Sequence, residues 1–164
     1  MNSELLATAT FLTALGAGLM AGLFFAFSFS VMRALSRIPP PAGIAAMQAI
    51  NIVILNPVFG IVFFGTVLAS LLLAGYALVI WNQPGAAYLL AGGALYVAGG
   101  FLVTVVFNVP RNNALAKLDP SSSAAAAAWS RYVSEWTSWN HVRMVASLGS
   151  LAAFMMAFAM LRPA

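Results

Sequence analysis

Residues 5–32 read LLATATFLTALGAGLMAGLFFAFSFSVM and contain no charged side chain. About 20 apolar residues in a helix are enough to cross the hydrocarbon core of a bilayer, so this run predicts a spanning helix that tilts or extends into the interface. The residues before it, MNSE, lack the positive charge of a secretory signal, and we expect no cleaved signal peptide. Gly18 and Gly22 have the GxxxG spacing that favours close packing against a neighbouring helix.

Three further apolar runs predict three more spans, at 52–81, 87–107 and 139–161. Of the 164 residues, 63% are hydrophobic and only 6% are charged, whereas an average soluble domain carries about 25% charged residues. Such a chain cannot cover its own surface in water. We therefore predict an all-α integral membrane protein, in which residues 1–164 form a single four-helix bundle.

The connections between the predicted spans differ in character. Residues 43–51 are too few to cross a bilayer, and we expect a short interfacial segment between spans 1 and 2. The long connection between spans 3 and 4 contains five consecutive alanines, Ala124–Ala128, which favour a helix, so a helical polar loop is predicted there. Asn108 and Pro110 are expected to end the third helix, and Asn112 is expected to cap the next one.

The basic residues indicate an orientation. Five of the seven belong to the first and third connections, which lie on one side of a four-span chain: Arg33, Arg37, Arg111, Lys117 and Arg131. The positive-inside rule places these residues in the cytoplasm and both termini outside. We expect the cell (inner) membrane as the location and the lipid bilayer as a partner. We expect no nucleic-acid partner, because the basic residues are not clustered on one face.

Two polar segments stand out against this background. Residues 107–115, FNVPRNNAL, place three carboxamides and a guanidinium at the end of the third span. Residues 136–143, WTSWNHVR, open the fourth span, and helical spacing puts Trp136, Trp139 and Asn140 on one face with Arg143. The structural alternative is a helix stop with a cap, followed by an aromatic belt and a snorkelling arginine.

Both segments flank the same connection, so their polar faces open on the same side of the membrane and are predicted to line one pocket. Asn56 and Gln48 are expected at the same level. The candidate substrate-binding residues are Asn108, Arg111, Asn112, Trp136, Trp139, Asn56 and Gln48, and the candidate catalytic residues are His141, Arg143 and Asn140.

The residue types that are missing exclude several chemistries. With no Cys, one His and three acidic residues, the chain lacks the ligands for a protein-bound metal. No phosphate-binding glycine loop and no serine triad can be assembled. Histidine is the side chain whose ordinary pKa lies nearest to neutrality, so His141 is the candidate general base, although a single His more often has a structural role.

The motifs Asn108-x-Pro110-x-Asn112 and Trp139-Asn140-x-x-Arg143 resemble the DUF1772 family of membrane proteins, which includes the fungal anthrone oxygenases. The resemblance covers essentially the whole chain. It implies a small four-helix membrane protein and, for the fungal members, oxidation of anthrones to anthraquinones by dioxygen without a metal or organic cofactor. In that chemistry His141 or a water would accept a proton, Arg143, Asn140 and Asn112 would hold the oxyanion, and Trp136 and Trp139 would stack on the ring.

A competing interpretation from the same residues is a non-enzymatic module that binds a lipid, a quinone or a partner helix through this pocket. A haem protein with His141 as axial ligand would show a Soret band. A transporter is disfavoured, because the spans hold few ionisable groups and no inverted halves. The expected small-molecule partner is a hydrophobic aromatic compound or a lipid, and the sequence leaves homo-oligomer formation open.

Overall fold

The computed structural model describes residues 3–161 and folds them into five helices. They are α1 (Ser3–Leu35), α2 (Pro40–Val53), α3 (Pro57–Val79), α4 (Ala86–Ala116) and α5 (Ala125–Leu161). No strand occurs among these residues. All of them except α2 are long and apolar enough to cross a membrane, which confirms the prediction of an all-α membrane four-helix bundle. The two chain ends, which the charge pattern predicts to face outward, lie outside the described residues.

The four long helices form a ring of neighbours. α1 packs along α5 and α3, and α4 packs along α3 and α5. α2 lies across one end of this ring, where its Ile44 and Met47 are buried against Leu115 of α4 and Trp129 of α5. This end of the bundle therefore has a small apolar core of its own beneath α2.

The outward faces of the long helices are apolar. On α3, for example, Ile61 is 73% exposed and Val79 is 80% exposed. A soluble protein rarely exposes contiguous apolar surface of this kind, whereas in a bilayer the same side chains contact acyl chains. These faces are the lipid-contacting surface of the bundle.

The segment between the first two spans is longer than predicted. α1 ends at Leu35, and α2 covers residues 40–53 rather than 43–51. Pro40 does not interrupt a helix but begins one, because the first helical turn does not use the N–H group that proline lacks.

The second spanning helix begins at Pro57, later than the predicted start at Ile52. Asn56 separates the two helices because it caps α3: its Oδ1 accepts a hydrogen bond from the backbone N–H of Phe59 at 3.0 Å. Ile52 therefore belongs to α2.

The predicted helix break at Asn108 and Pro110 is wrong, because α4 continues through both residues to its end. A π-helical segment, Thr104–Asn108, precedes the proline, and it pairs the N–H of Val109 with a carbonyl one residue further back than in an α-helix. The wider turn accommodates the proline ring and its missing donor. Asn112, predicted as a helix cap, therefore lies inside α4.

The last helix also begins earlier than the predicted span, at Ala125 instead of near Trp139. The segment predicted as a helical polar loop is divided between the last turns of α4, a short connection and the first turns of α5. In that connection Asp119 accepts hydrogen bonds from the backbone N–H and the hydroxyl of Ser121. These bonds lower the pKa of the Asp119 carboxyl from its usual value.

The GxxxG pair does not mark the closest packing of α1. A Cβ atom added at Gly22 would meet no atom within 4 Å, and one at Gly18 would make only ordinary contact with Leu151. A Cβ atom at Gly16 would instead collide with the Thr66 side chain of α3. The close approach of α1 to α3 therefore depends on Gly16.

Candidate functional site

A cavity of about 890 Å³ lies within the bundle beneath α2, and all five helices contribute to its wall. Small-molecule sites typically have volumes of roughly 300–1,000 Å³. Most of the wall is apolar, and its aromatic residues are Phe24, Phe27, Phe59, Phe63, Phe64, Phe101 and Trp136. The polar lining residues are Gln48, Asn51, Asn56, Thr104, Asn112, Asn113 and Arg143.

Arg143 of α5 is the charged residue of this wall, and only 5% of it is exposed. Its Nη1 donates to Thr104 Oγ1 at 3.2 Å, and its Nη2 donates to Asn140 Oδ1 at 2.6 Å. Its Nε is buried without a hydrogen-bond partner. Both partners are neutral, so the hydrogen bonds orient the guanidinium without compensating its charge.

No ion pair among residues 3–161 includes Arg143. Of the three acidic residues in the chain, Glu135 pairs with Arg111 at 2.9 Å, Asp119 lies in an exposed turn, and Glu4 lies at the start of α1. A buried cation without a counter-ion costs several kcal/mol. A negatively charged group inside the cavity would compensate this charge.

Two aromatic rings partly offset that cost. The Cζ atom of Arg143 lies 4.3 Å from the ring centroid of Phe24 and 5.0 Å from that of Trp136. Cation–π contacts of this kind contribute about 0.5–2 kcal/mol each. They hold the guanidinium between α1 and α5, and Nη1 and Nη2 each keep one N–H group that the hydrogen bonds to Thr104 and Asn140 do not use.

Asn140 holds Arg143 in place but does not line the cavity. It is fully buried, and its Nδ2 donates to the Phe24 carbonyl and to Ser28 Oγ, both at 2.7 Å. Ser28 belongs to a π-helical segment of α1, Phe27–Val31. Such turns are rare in proteins overall, but those that occur are often located at functional sites. Asn140 therefore couples the orientation of the guanidinium to the irregular turn of α1.

A second set of hydrogen-bonded side chains is centred on Asn112 of α4. Its Oδ1 accepts hydrogen bonds from the Tyr132 hydroxyl and from Trp136 Nε1, both at 2.8 Å. One turn earlier, Asn108 is buried and donates to the Trp136 carbonyl at 3.2 Å. Both asparagines thus fix the position of Trp136, but only Asn112 reaches the cavity wall.

Gln48 and Asn56 also reach the cavity wall. Gln48 Nε2 donates to the carbonyls of Leu115 and Leu118, at 2.8 and 3.0 Å, and so ties α2 to the end of α4. Asn56 caps α3 as described above. Both side chains position the helices that close the cavity.

Replacing Gln48 with alanine should lower the free energy of unfolding by about 1–2 kcal/mol, because two partly buried carbonyls lose their donor. Thermal unfolding in one detergent measures the change. Gln83→Ala is the matched control, since Gln83 is exposed in the turn before α4 and should leave the transition unchanged. Equal transitions for the two variants would show that Gln48 does not hold α2 in place.

Besides Asn108 and Asn140, three further predicted site residues lie away from the cavity wall. Arg111 pairs with Glu135 and donates to the Phe107 carbonyl at 2.7 Å. Trp139 stacks on Phe107, with ring centroids 3.6 Å apart. His141 packs against a phenylalanine of α1, 5.6 Å between centroids. The predicted α5 face was too wide, because Trp139 belonged to it but lies against Phe107 and does not line the cavity.

The sequence analysis missed Asn51, Thr104 and Asn113 as lining residues, and it missed Tyr132 as a partner of Asn112. Thr104 could have been found, because Thr104, Asn108 and Asn112 recur every four residues and share a face of one helix. The aromatic wall gave no local signal, since phenylalanines are equally common on lipid-facing surfaces.

The cavity reaches the lateral surface of the bundle between α2, α3 and α4. Its lining there includes Leu55 and Ile52, which are 76% and 74% exposed, together with exposed Phe64 and Val105. Exposed apolar residues at this position face the hydrocarbon region that the outward faces of the helices also contact. A molecule dissolved in the bilayer can therefore approach the cavity from the side.

Metal-binding side chains do not gather anywhere in residues 3–161: no three His, Asp or Glu residues in this part of the chain are arranged to hold a metal ion. The polar groups of the cavity are carboxamides, a hydroxyl and one guanidinium. These groups bind oxygen atoms of an organic ligand through hydrogen bonds.

Comparison with known protein families gives a match. A family model described as anthrone oxygenase matches residues 54–153, which is more than half of the chain and contains Asn56, Asn112 and Arg143. No curated protein and no solved structure matches the chain.

Proposed function

Because the chain belongs to the anthrone oxygenase family, we propose that it is a membrane-embedded, cofactor-independent oxygenase that converts an anthrone-like aromatic substrate to a quinone. The observation that carries the proposal is the uncompensated charge of Arg143 in an apolar, aromatic cavity. An anthrone that loses a proton from its methylene carbon becomes an enolate with negative charge on oxygen. A fixed cation in a water-poor site stabilises that charge strongly.

The reaction balances with dioxygen as the oxidant. The enolate transfers one electron to dioxygen, and the resulting carbon radical and superoxide combine into a peroxide, which takes up a proton. Loss of the second proton from the same carbon then breaks the O–O bond, releases water and leaves the new carbonyl. One dioxygen is consumed for each quinone and each water formed.

Arg143 performs the main task in this scheme, because it favours the ionised form of the bound substrate. The lining residues include neither a carboxylate nor an imidazole, so His141 is not the base and the proton leaves to water. Phe24 and Trp136, which already flank the guanidinium, provide surfaces for the flat substrate. Asn140 acts through Arg143 as a positioning residue.

The lateral opening of the cavity supports a lipophilic substrate. Anthrones are fused aromatic compounds that partition into membranes, and the exposed apolar residues at the opening present no charged barrier to them. The apolar wall limits the amount of water around a bound substrate, which strengthens the effect of Arg143.

The test is dioxygen uptake by the detergent-purified protein on addition of anthrone, with anthraquinone recorded by absorbance and the protein-free rate subtracted. We expect one dioxygen consumed for each anthraquinone formed. Gly60 lines the cavity and Gly75 is exposed, and a Cβ atom at either would meet no atom within 4 Å. Gly60→Phe should therefore fill the cavity and reduce the rate by at least about tenfold, whereas Gly75→Phe on the same helix should retain it.

Ligand binding without dioxygen uptake would instead support the non-enzymatic binding module. A wild-type protein that binds anthraquinone or retains a lipid, yet takes up no dioxygen above the protein-free rate, is a binding module and not an oxygenase. Equal rates for the two phenylalanine variants would show that the reaction occurs outside this cavity.

A further inference from the structure

Asn112 presents its amide group in one defined orientation. Its carbonyl oxygen accepts hydrogen bonds from the Tyr132 hydroxyl and from Trp136 Nε1. An indole N–H can only donate, so the atom that it meets must be the amide oxygen and not the nitrogen. The Asn112 Nδ2 group is therefore directed away from both aromatic side chains.

The Nδ2 group of Asn112 is a donor that the protein does not use. None of the hydrogen bonds formed by residues 3–161 involves this atom, and Asn112 is a half-buried residue of the cavity wall. Its two N–H groups are available to a molecule inside the cavity.

Trp136 connects this neutral donor to the charged one. The Arg143 guanidinium lies 5.0 Å from the Trp136 ring centroid, and Nε1 of the same indole bonds to Asn112. The two donors are thus placed at different positions along one rigid ring system. A flat ligand beside this indole meets positive charge at one position and an amide N–H at another.

We propose that Asn112 determines specificity by donating a hydrogen bond to a second oxygen atom of the ligand, separate from the ionised oxygen at Arg143. The ligand class is then a fused aromatic compound with one ionised oxygen and one neutral acceptor, such as a ring carbonyl. The assignment of the ionised oxygen to Arg143 rests on the proposed function. The assignment of the second oxygen rests on the contacts of Asn112.

The experiment compares two probes that share a skeleton and one ionisable hydroxyl, 2-hydroxyanthracene and 2-hydroxyanthraquinone. Their association constants are measured by quenching of tryptophan fluorescence in one detergent. Only the quinone carries carbonyl oxygens. For each variant, the association constant of the quinone is divided by that of the anthracene, and this ratio is compared with the wild-type ratio. The different acidities of the probes then cancel.

Asn112→Leu should lower this ratio about tenfold in favour of the anthracene, because one hydrogen bond to the quinone is lost. Asn112→Ala is the second variant, with the same expected fall. Tyr132→Phe is the matched control, since it removes one donor to Oδ1 but leaves Nδ2 and the Trp136 bond in place. In this variant the ratio should change by less than about twofold.

An unchanged ratio in both Asn112 variants, including an equal loss of affinity for both probes, would overturn the inference, because Asn112 would then only support Trp136. Arg143→Met tests the other oxygen separately: at a pH at which both hydroxyls are ionised, it should weaken both probes without changing their ratio. If Arg143→Met left both affinities intact while the Asn112 variants lowered the ratio, the proposed function would fail and the role of Asn112 would stand.

Discussion

Arg143→Met should reduce anthrone-dependent dioxygen uptake by about 10²- to 10³-fold, which is the effect of removing one donor to a developing oxyanion. Methionine follows the arginine side chain as far as the position of Nε and ends in an apolar methyl group, so it removes the charge and the donors together with the contacts of Cζ with Phe24 and Trp136. The measurement is the uptake rate at saturating anthrone, corrected for the protein-free reaction.

Stability separates this functional role from a structural one. Replacing a buried, uncompensated cation with an apolar side chain is often neutral or stabilising, while Asn140 and Thr104 each lose one hydrogen bond. We therefore expect the free energy of unfolding of Arg143→Met to stay within about 2 kcal/mol of the wild-type value. An uptake rate above one tenth of the wild-type rate would rule out the oxyanion role.

Arg143→Lys is the charge-conserving comparison for the same experiment. Lysine keeps the positive charge but cannot bond Thr104 and Asn140 with a planar fork while leaving further donors to the ligand. Its uptake rate should fall between those of the wild type and Arg143→Met. A lysine variant no better than the methionine variant would show that geometry, and not charge alone, supports the reaction.

Thr104→Asp should weaken binding of ionised 2-hydroxyanthraquinone by about 10²- to 10³-fold, because it places a carboxylate beside Arg143. The Thr104 hydroxyl lies 3.2 Å from Arg143 Nη1, and opposite charges about 4 Å apart near a protein surface attract each other by about 4 kcal/mol. Such a counter-ion satisfies the guanidinium and repels an anionic ligand. Probe binding and dioxygen uptake should fall together.

Thr104→Asn is the matched control for this prediction. Asparagine has the shape of aspartate without its charge, and both variants lose the hydrogen bond from the Thr104 hydroxyl to the Gly100 carbonyl. We expect the asparagine variant to retain probe affinity within about tenfold of the wild type. If the two variants bound the probe equally, the net charge at Arg143 would not be what the cavity uses.

The sequence predicted some residues of the candidate site but not others. The density of amides and the arginine in residues 107–115 and 136–143 pointed to Asn112, Trp136 and Arg143, and the structure places all three at one cavity. Five other predicted residues do not line the cavity, because spacing along one helix does not show which side chains reach a space between helices: Asn108, Arg111, Trp139, Asn140 and His141. Thr104 was missed because its four-residue spacing to Asn108 and Asn112 was not used.

The architecture followed from the sequence alone. Each of the four apolar runs is long enough to cross a bilayer, and a helix satisfies all of its backbone hydrogen bonds within the segment. The all-α bundle and its lipid-facing surface were therefore predictable without any knowledge of contacts. The side of the membrane on which each terminus lies remains a prediction from the basic residues.

The tertiary structure alone decided which polar groups meet. Asn140 of α5 donates a hydrogen bond to the carbonyl of Phe24 on α1, and Asn112 of α4 accepts one from Trp136 of α5. These contacts depend on the rotation of each helix about its axis, and π-helical turns at 27–31 and 104–108 change that rotation locally. Sequence periodicity assumes a regular helix, so it could not show that Arg143 would be left with neutral partners facing a cavity.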